Sequence, residues 1–136
     1  MATVYLSLGS NLGYKRRNIR RAIKKIGEQI GEVVRQSALY DTKPWGFDSE
    51  NTFVNAAVCV ETTLAPHDLL KATQAIEREM GRKQKSKDGI YHDRVIDIDI
   101  LLYDDLTLDT PDLRIPHPLM YERDFVMIPL EEIKGS

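Results

Sequence analysis

The run Arg94-Val95-Ile96-Asp97-Ile98-Asp99-Ile100-Leu101-Leu102-Tyr103 constrains this chain more than any other segment. Its β-branched, apolar content reads as a buried β-strand. Side chains alternate across a strand, so Asp97 and Asp99 project from one face while Ile96, Ile98 and Ile100 project from the other. Two like charges side by side on an apolar strand are unfavourable without a cationic partner. A hard cation such as Mg²⁺, held by one or two carboxylates together with substrate phosphates, is the usual solution. The plain alternative is an exposed face whose carboxylates pair with nearby Lys or Arg, because D-x-D alone is a weak signal.

The flanks favour the metal. Between Val95 and Leu113 stand Asp97, Asp99, Asp104, Asp105, Asp109 and Asp112, with neither Lys nor Arg among them. Just upstream, Arg82, Lys83, Lys85, Lys87 and Arg94 face only Asp88 and Asp93. A basic loop feeding a diacid strand supplies carboxylates for a cation and Arg or Lys for phosphates.

Composition narrows the class. At 136 residues one domain with a genuine core is expected. A net charge of −2 gives no global positive field to argue for nucleic acid or an anionic membrane. Cys59 is the only cysteine, which excludes an intramolecular disulfide and fits a reducing cytoplasm. Its run Ala56-Ala57-Val58-Cys59-Val60 reads as core. No apolar stretch approaches the roughly 20 residues of a membrane span, and no signal peptide is expected.

The pattern along the chain is strand, helix, strand, strand, helix, strand. Thr3 to Leu8 alternates as a strand and meets a turn at Gly9-Ser10-Asn11-Leu12-Gly13. A helix is expected from about Lys15 to Ile30, with Ile19, Ala22, Ile23, Ile26 and Ile30 as its apolar stripe. Its many Lys and Arg read as a solvated face. Val33 to Thr42 reads as the second strand, 43–51 as a loop holding Trp45, and Phe53 to Thr62 as a central strand apolar on both faces. The second helix opens at Pro66 and closes at Gly81, burying Leu69, Thr73, Ile76 and Met80. Past Tyr103 the chain is turn-rich, with an apolar stretch near Phe125 to Leu130. The expected fold is α+β, a ferredoxin-like βαββαβ core with both helices on one face of an antiparallel sheet.

Several motifs now combine: Gly9-Ser10-Asn11-Leu12, Phe53-Val54-Asn55-Ala56-Ala57, Gln74-Ala75-Ile76-Glu77, Gly81-Arg82, the diacid strand and Ile115-Pro116-His117-Pro118. In this order the set resembles hydroxymethyldihydropterin pyrophosphokinase of folate biosynthesis, and it covers nearly the whole chain. The resemblance implies a single pyrophosphokinase domain over 1–136. It also implies transfer of the β,γ-pyrophosphoryl group of ATP to the hydroxymethyl alcohol of a reduced pterin, with release of AMP.

Carried over by position, the resemblance makes Asp97 and Asp99 the ligands of two Mg²⁺ ions. It makes Arg82 and Arg94 phosphate-binding arginines, catalytic together with the two Asp. Gln74, Glu77, Lys85, Ile100, Arg114, His117 and Arg123 complete the implied nucleotide site. Without it, Arg82 reads as a helix-end cation, Gln74 and Glu77 as an exposed helix face, and His117 as a turn residue. The implied pterin pocket consists of Thr42, Pro44, Trp45, Phe53, Asn55, Tyr91 and Phe125, with two aromatics around a flat ring and Asn55 reading its edge. Phe53 and Asn55 lie two apart on one strand and so share a face.

This chain departs from the family pattern at Gln84, where a second basic residue is common, and at Tyr91, where many members carry Trp. Asp112 replaces a frequent Arg, and Arg114 a smaller polar residue. The expected partners are ATP and a reduced pterin alcohol, with no nucleic acid and no membrane, for a cytoplasmic monomer. Two other classes compete. An RNA-binding module would need the RNP aromatics, which are missing here, and would set Asp97 and Asp99 against RNA phosphates. A non-catalytic nucleotide- or metal-binding ferredoxin-like domain would explain the diacid but not the convergent arginines.

Overall fold

Alternation carries the first strand further than its sequence suggests. The computed structural model describes residues 1–43, 52–81 and 95–134, and in it β1 runs Ala2–Ser10. Gly9 and Ser10, expected in the turn, are strand residues. Next come α1 (Lys15–Gln29), β2 (Gly31–Gln36), β3 (Tyr40–Thr42) and β4 (Phe53–Thr62). They are followed by α2 (Pro66–Glu79), β5 (Asp97–Tyr103), the short strands β6 (Leu108–Asp109) and β7 (Arg114–Ile115), and α3 (Asp124–Lys134).

Every pairing in the main sheet is antiparallel, in the order β2-β4-β1-β5, with β3 also on β4. The fold is therefore α+β, built on one antiparallel sheet. β4 is central, as its apolar faces require.

Even-numbered residues of β1 and β4 (Val4, Leu6, Leu8, Val54, Ala56, Val58, Val60) form the main core with Ile96, Ile98 and Ile100. Ile19, Ala22 and Ile26 of α1, and Leu69 and Ile76 of α2, close it from above. The second of these helices begins and ends for local reasons. Pro66 sits in the first turn of α2, where its missing N–H costs nothing. Gly81 just past its end takes φ +104, a left-handed conformation that other residues resist. On α1, Arg16, Arg17, Arg20, Arg21 and Lys24 are exposed, the solvated face that charge patterning implies.

Two further expectations need correction. Val33–Thr42 is not one strand: pairing starts at Gly31 and breaks at 37–39. Ser37 bridges the break, its hydroxyl accepting the Ala57 N–H at 2.9 Å and donating to the Ala38 carbonyl at 2.7 Å. Secondly, 124–134 is a helix despite Pro129 inside it. α3 lies across the other face of the sheet, where Val126, Leu130 and Ile133 meet Tyr5, Ala57, Cys59 and Leu101. Helices thus cover both faces of the sheet. Two ties from the α3 end hold it to the strand break. Glu132 accepts the Ala38 N–H at 3.0 Å and the Tyr40 hydroxyl, and Arg35 donates to the Ile133 carbonyl at 2.9 Å.

Candidate active site

Register across the sheet assembles the site. Gly9 of β1 pairs with Asn55 of β4 on one side and with Asp97 of β5 on the other. Directly opposed residues share a face, so Asn55, Gly9 and Asp97 form one row, with Ser7 and Asp99 in the row behind. The face is the one α3 packs on, opposite the Ile96-Ile98-Ile100 side. Asp97 and Asp99 are both half-buried, and two residues along a strand separate them by about 7 Å. The expectation that these carboxylates share one face therefore holds.

Gly9 is the residue that sequence reasoning undervalued. A Cβ there would lie 3.0 Å from Asn55 Nδ2 and 3.5 Å from the Phe53 ring. Only a bare backbone lets the amide and the ring lean over β1, and a Gly inside a strand is the usual sign of such close approach. Asn55 is buried. Thr42, next to Asn55's strand on β3, donates its hydroxyl to Asn55 Oδ1. That contact orients the amide with Nδ2 toward Gly9. Thr42 also lines a hollow of about 350 Å³ shared with Tyr40, Glu122, Phe125 and Ile128. Phe125, half-buried in the first turn of α3, carries the Arg123 guanidinium 5.7 Å from its ring centroid.

A second concavity opens at the outer edge of β5. The cleft encloses about 250 Å³ and brings Asp99, Ile100, Arg114 and His117 together with Leu70 and Leu113. His117 is fixed by its own turn: its N–H donates to the Leu101 carbonyl at 3.1 Å, and its Nδ1 accepts the Leu119 N–H at 3.3 Å. A ring whose Nδ1 accepts a hydrogen bond carries its neutral-form proton on Nε2, an arrangement suited to donating toward an anion. Arg114 is exposed and reaches Asp109 at 3.0 Å.

Glu77 does not lie on an exposed helix face. It is buried, and its Oε2 accepts the Ile98 N–H at 2.8 Å, satisfying the free edge of β5. Gln74, one turn back on α2, is half-buried. Arg123 is buried beside Phe125. Arg82, Lys85 and Arg94 of the expected phosphate site, and Pro44, Trp45 and Tyr91 of the expected ring pocket, lie outside the described residues.

Among the described residues, no three His, Cys, Asp or Glu side chains cluster as a metal cage. Two half-buried carboxylates on one strand face are nevertheless the donor set Mg²⁺ takes when phosphate oxygens and water complete its shell. No helix among the described residues is long and apolar enough to cross a membrane.

Comparison with known proteins identifies the family. Residues 5–135 match the family model of 7,8-dihydro-6-hydroxymethylpterin-pyrophosphokinase. The chain is 49% identical over 134 residues to a 2-amino-4-hydroxy-6-hydroxymethyldihydropteridine pyrophosphokinase of Porphyromonas gingivalis, covering 98% of this chain and 91% of that one. It is 44% identical over 136 residues to the enzyme of the same name from Aquifex aeolicus, covering all of this chain and 82% of that one. In fold it resembles a Plasmodium falciparum HPPK-DHPS structure with TM-score 0.74 at 16% identity, covering 97% of this chain but only 39% of the larger one. The chain belongs to the 7,8-dihydro-6-hydroxymethylpterin-pyrophosphokinase family.

Proposed function

We infer that this chain transfers the pyrophosphoryl group of ATP to 6-hydroxymethyl-7,8-dihydropterin in folate biosynthesis. The reaction forms a bond from the hydroxymethyl oxygen to the β-phosphorus and breaks the bond from that phosphorus to the bridging α,β-oxygen. AMP leaves and the alcohol proton is lost. The carrying observation is the row Asn55-Gly9-Asp97. Strands lie about 4.8 Å apart, so an amide that reads a heterocycle edge and a carboxylate suited to a phosphate-bound cation stand roughly 10 Å from each other. A bicyclic ring with a one-carbon alcohol spans that distance.

In this reading Phe53 and Phe125 stack on the pterin, Asn55 pairs with its edge, and Thr42, Pro44, Trp45 and Tyr91 line the pocket. The Thr42 hydroxyl supports the role of Asn55, because it leaves the amide a fixed polarity to offer the ring. Asp97 and Asp99 would hold two Mg²⁺, whose chemistry is to neutralise charge on the transferring phosphates. Arg82, Lys85, Arg94, His117 and Arg123 take phosphate oxygens, with Arg82 and Arg94 stabilising the charge that develops at the scissile bond. Gln74, Glu77, Ile100 and Arg114 belong to the nucleotide side. Glu77 acts there by holding the β5 backbone.

Further parts of the proposal concern the whole chain. The core is ferredoxin-like in this reading, with β3, β6, β7 and α3 added to it, and the sheet order β2-β4-β1-β5 supports that assignment. Residues 1–136 act as one pyrophosphokinase domain, monomeric and cytoplasmic, with no nucleic-acid or membrane partner. A product assay with ATP, Mg²⁺ and the pterin alcohol tests the activity: AMP is expected, and ADP as the sole product would overturn it.

A further inference from the structure

We propose that His67 is a positioning residue for the β5-edge cleft, holding the 110–114 wall against the first turn of α2. This rests on the reading of that cleft as the nucleotide site. His67 Nε2 lies 3.1 Å from Asp112 Oδ1, and the Thr110 hydroxyl lies 2.9 Å from the same oxygen. Thr110 Oγ1 is also 3.4 Å from His67 Nε2, so three side chains meet at one point. The turn behind them is rigid: the Leu113 N–H donates to Thr110 Oγ1 at 3.1 Å, and the Thr110 N–H to the Leu113 carbonyl at 3.0 Å.

The latch joins the two walls of the cleft. Leu70, one helical turn after His67, lines it from α2, while Pro111, Asp112, Leu113 and Arg114 line it from the turn. Leu70 and Leu113 already join these walls at the main core, and the latch adds a polar tie between them at the rim. The charge matters as well. Asp112 is a carboxylate on the rim of a cleft that receives a polyanion, and like charges there weaken binding. Hydrogen bonds from Thr110 and His67 hold its carboxyl below the ordinary carboxylate range, so it stays ionised. They also direct Oδ1 toward α2. Releasing it would widen the cleft and free an anion to turn toward the phosphates.

Calorimetric titration with a non-hydrolysable ATP analogue and Mg²⁺, alongside steady-state kinetics, tests the role. His67→Ala should weaken analogue binding and raise the KM for ATP about 3- to 5-fold, the range for losing a solvent-exposed hydrogen bond to a carboxylate. Its kcat and pterin KM should stay within about twofold of wild type. His67→Gln, whose amide can donate to the same carboxylate, should restore ATP affinity. Overturning results are His67→Ala binding the analogue as wild type does, kcat falling in step with affinity, or His67→Gln failing like His67→Ala. Wild-type protein that binds no analogue overturns the nucleotide reading of the cleft, and this inference with it.

Discussion

Asn55 and Asp97 flank the same residue from opposite sides: each pairs with Gly9, one from β4 and the other from β5. On the proposed assignment, ring recognition and phosphate chemistry are coupled through paired strand backbone rather than through a loop. Sites carried on strands hold their geometry more tightly than sites on loops.

Gly9→Ala should therefore injure one half of the site selectively. The new methyl would stand 3.0 Å from Asn55 Nδ2 and 3.5 Å from the Phe53 ring, so the amide must shift. Overpacking of this kind costs about 1–3 kcal/mol, roughly a 5- to 150-fold loss of pterin affinity. Binding of an ATP analogue without pterin should change less than about twofold. Fluorescence or calorimetric titration of each ligand separately checks both expectations.

Asp97→Asn and Asp99→Asn keep side-chain size and shape on a half-buried strand face and should fold normally. Turnover with Mg²⁺ should drop at least about 10²-fold, equivalent to about 2.7 kcal/mol in the barrier. Near-normal kcat in either variant would contradict the metal assignment.

Glu77 separates structure from chemistry. Glu77→Ala leaves the buried Ile98 N–H without its acceptor, and an unsatisfied buried donor costs about 1–3 kcal/mol. Urea denaturation should show that loss, while Glu77→Gln, which keeps a carbonyl acceptor, should recover most of it. Equal destabilisation by both variants would mean that the charge, not the hydrogen bond, is what matters there.

Tyr40 offers a pH test. Its hydrogen bond to Glu132, then burial and the carboxylate charge, raise its pKa above the ordinary phenol value. A folded-state pKa above the unfolded one gives stability that is complete below about pH 10 and is lost as pH climbs through the folded value. Tyr40→Phe should be less stable than wild type at neutral pH, and the gap should close in strong alkali. A gap that is constant across an alkaline denaturation series would rule out this linkage.

Periodicity made the central strand, the diacid strand and both core helices legible, because each buries a stripe or face with an unbroken pattern. α3 was hidden, since Pro129 reads as a breaker and its burial depends on a sheet face that only tertiary structure reveals. The break at 37–39 was also invisible: Ser37 repairs the ladder with its side chain, which no alternation pattern records. Two-residue strands such as β6 and β7 fall below any periodic signal. Among site residues, Asp97 and Asp99 stood out by parity and by the charges flanking them, whereas Phe53 and Asn55 entered through the family resemblance and parity only set them on one face. The closeness of Gly9 to Asn55 and Phe53 came from the register between β1 and β4, which are far apart in the sequence. Glu132 and His67 carried no local mark at all, for their partners are distant in sequence.

The division of the interior into a main cluster under α1 and α2 and smaller clusters under α3 has a thermodynamic corollary. Two separately packed bodies need not melt together. A sub-global opening that peels α3 away would expose Cys59 and carry off Arg123 and Phe125, yet leave β1, β4 and β5 paired. Such a state keeps the diacid and the fold but forfeits one wall of the proposed ring pocket, so heat or mild denaturant should extinguish catalysis before it extinguishes the sheet.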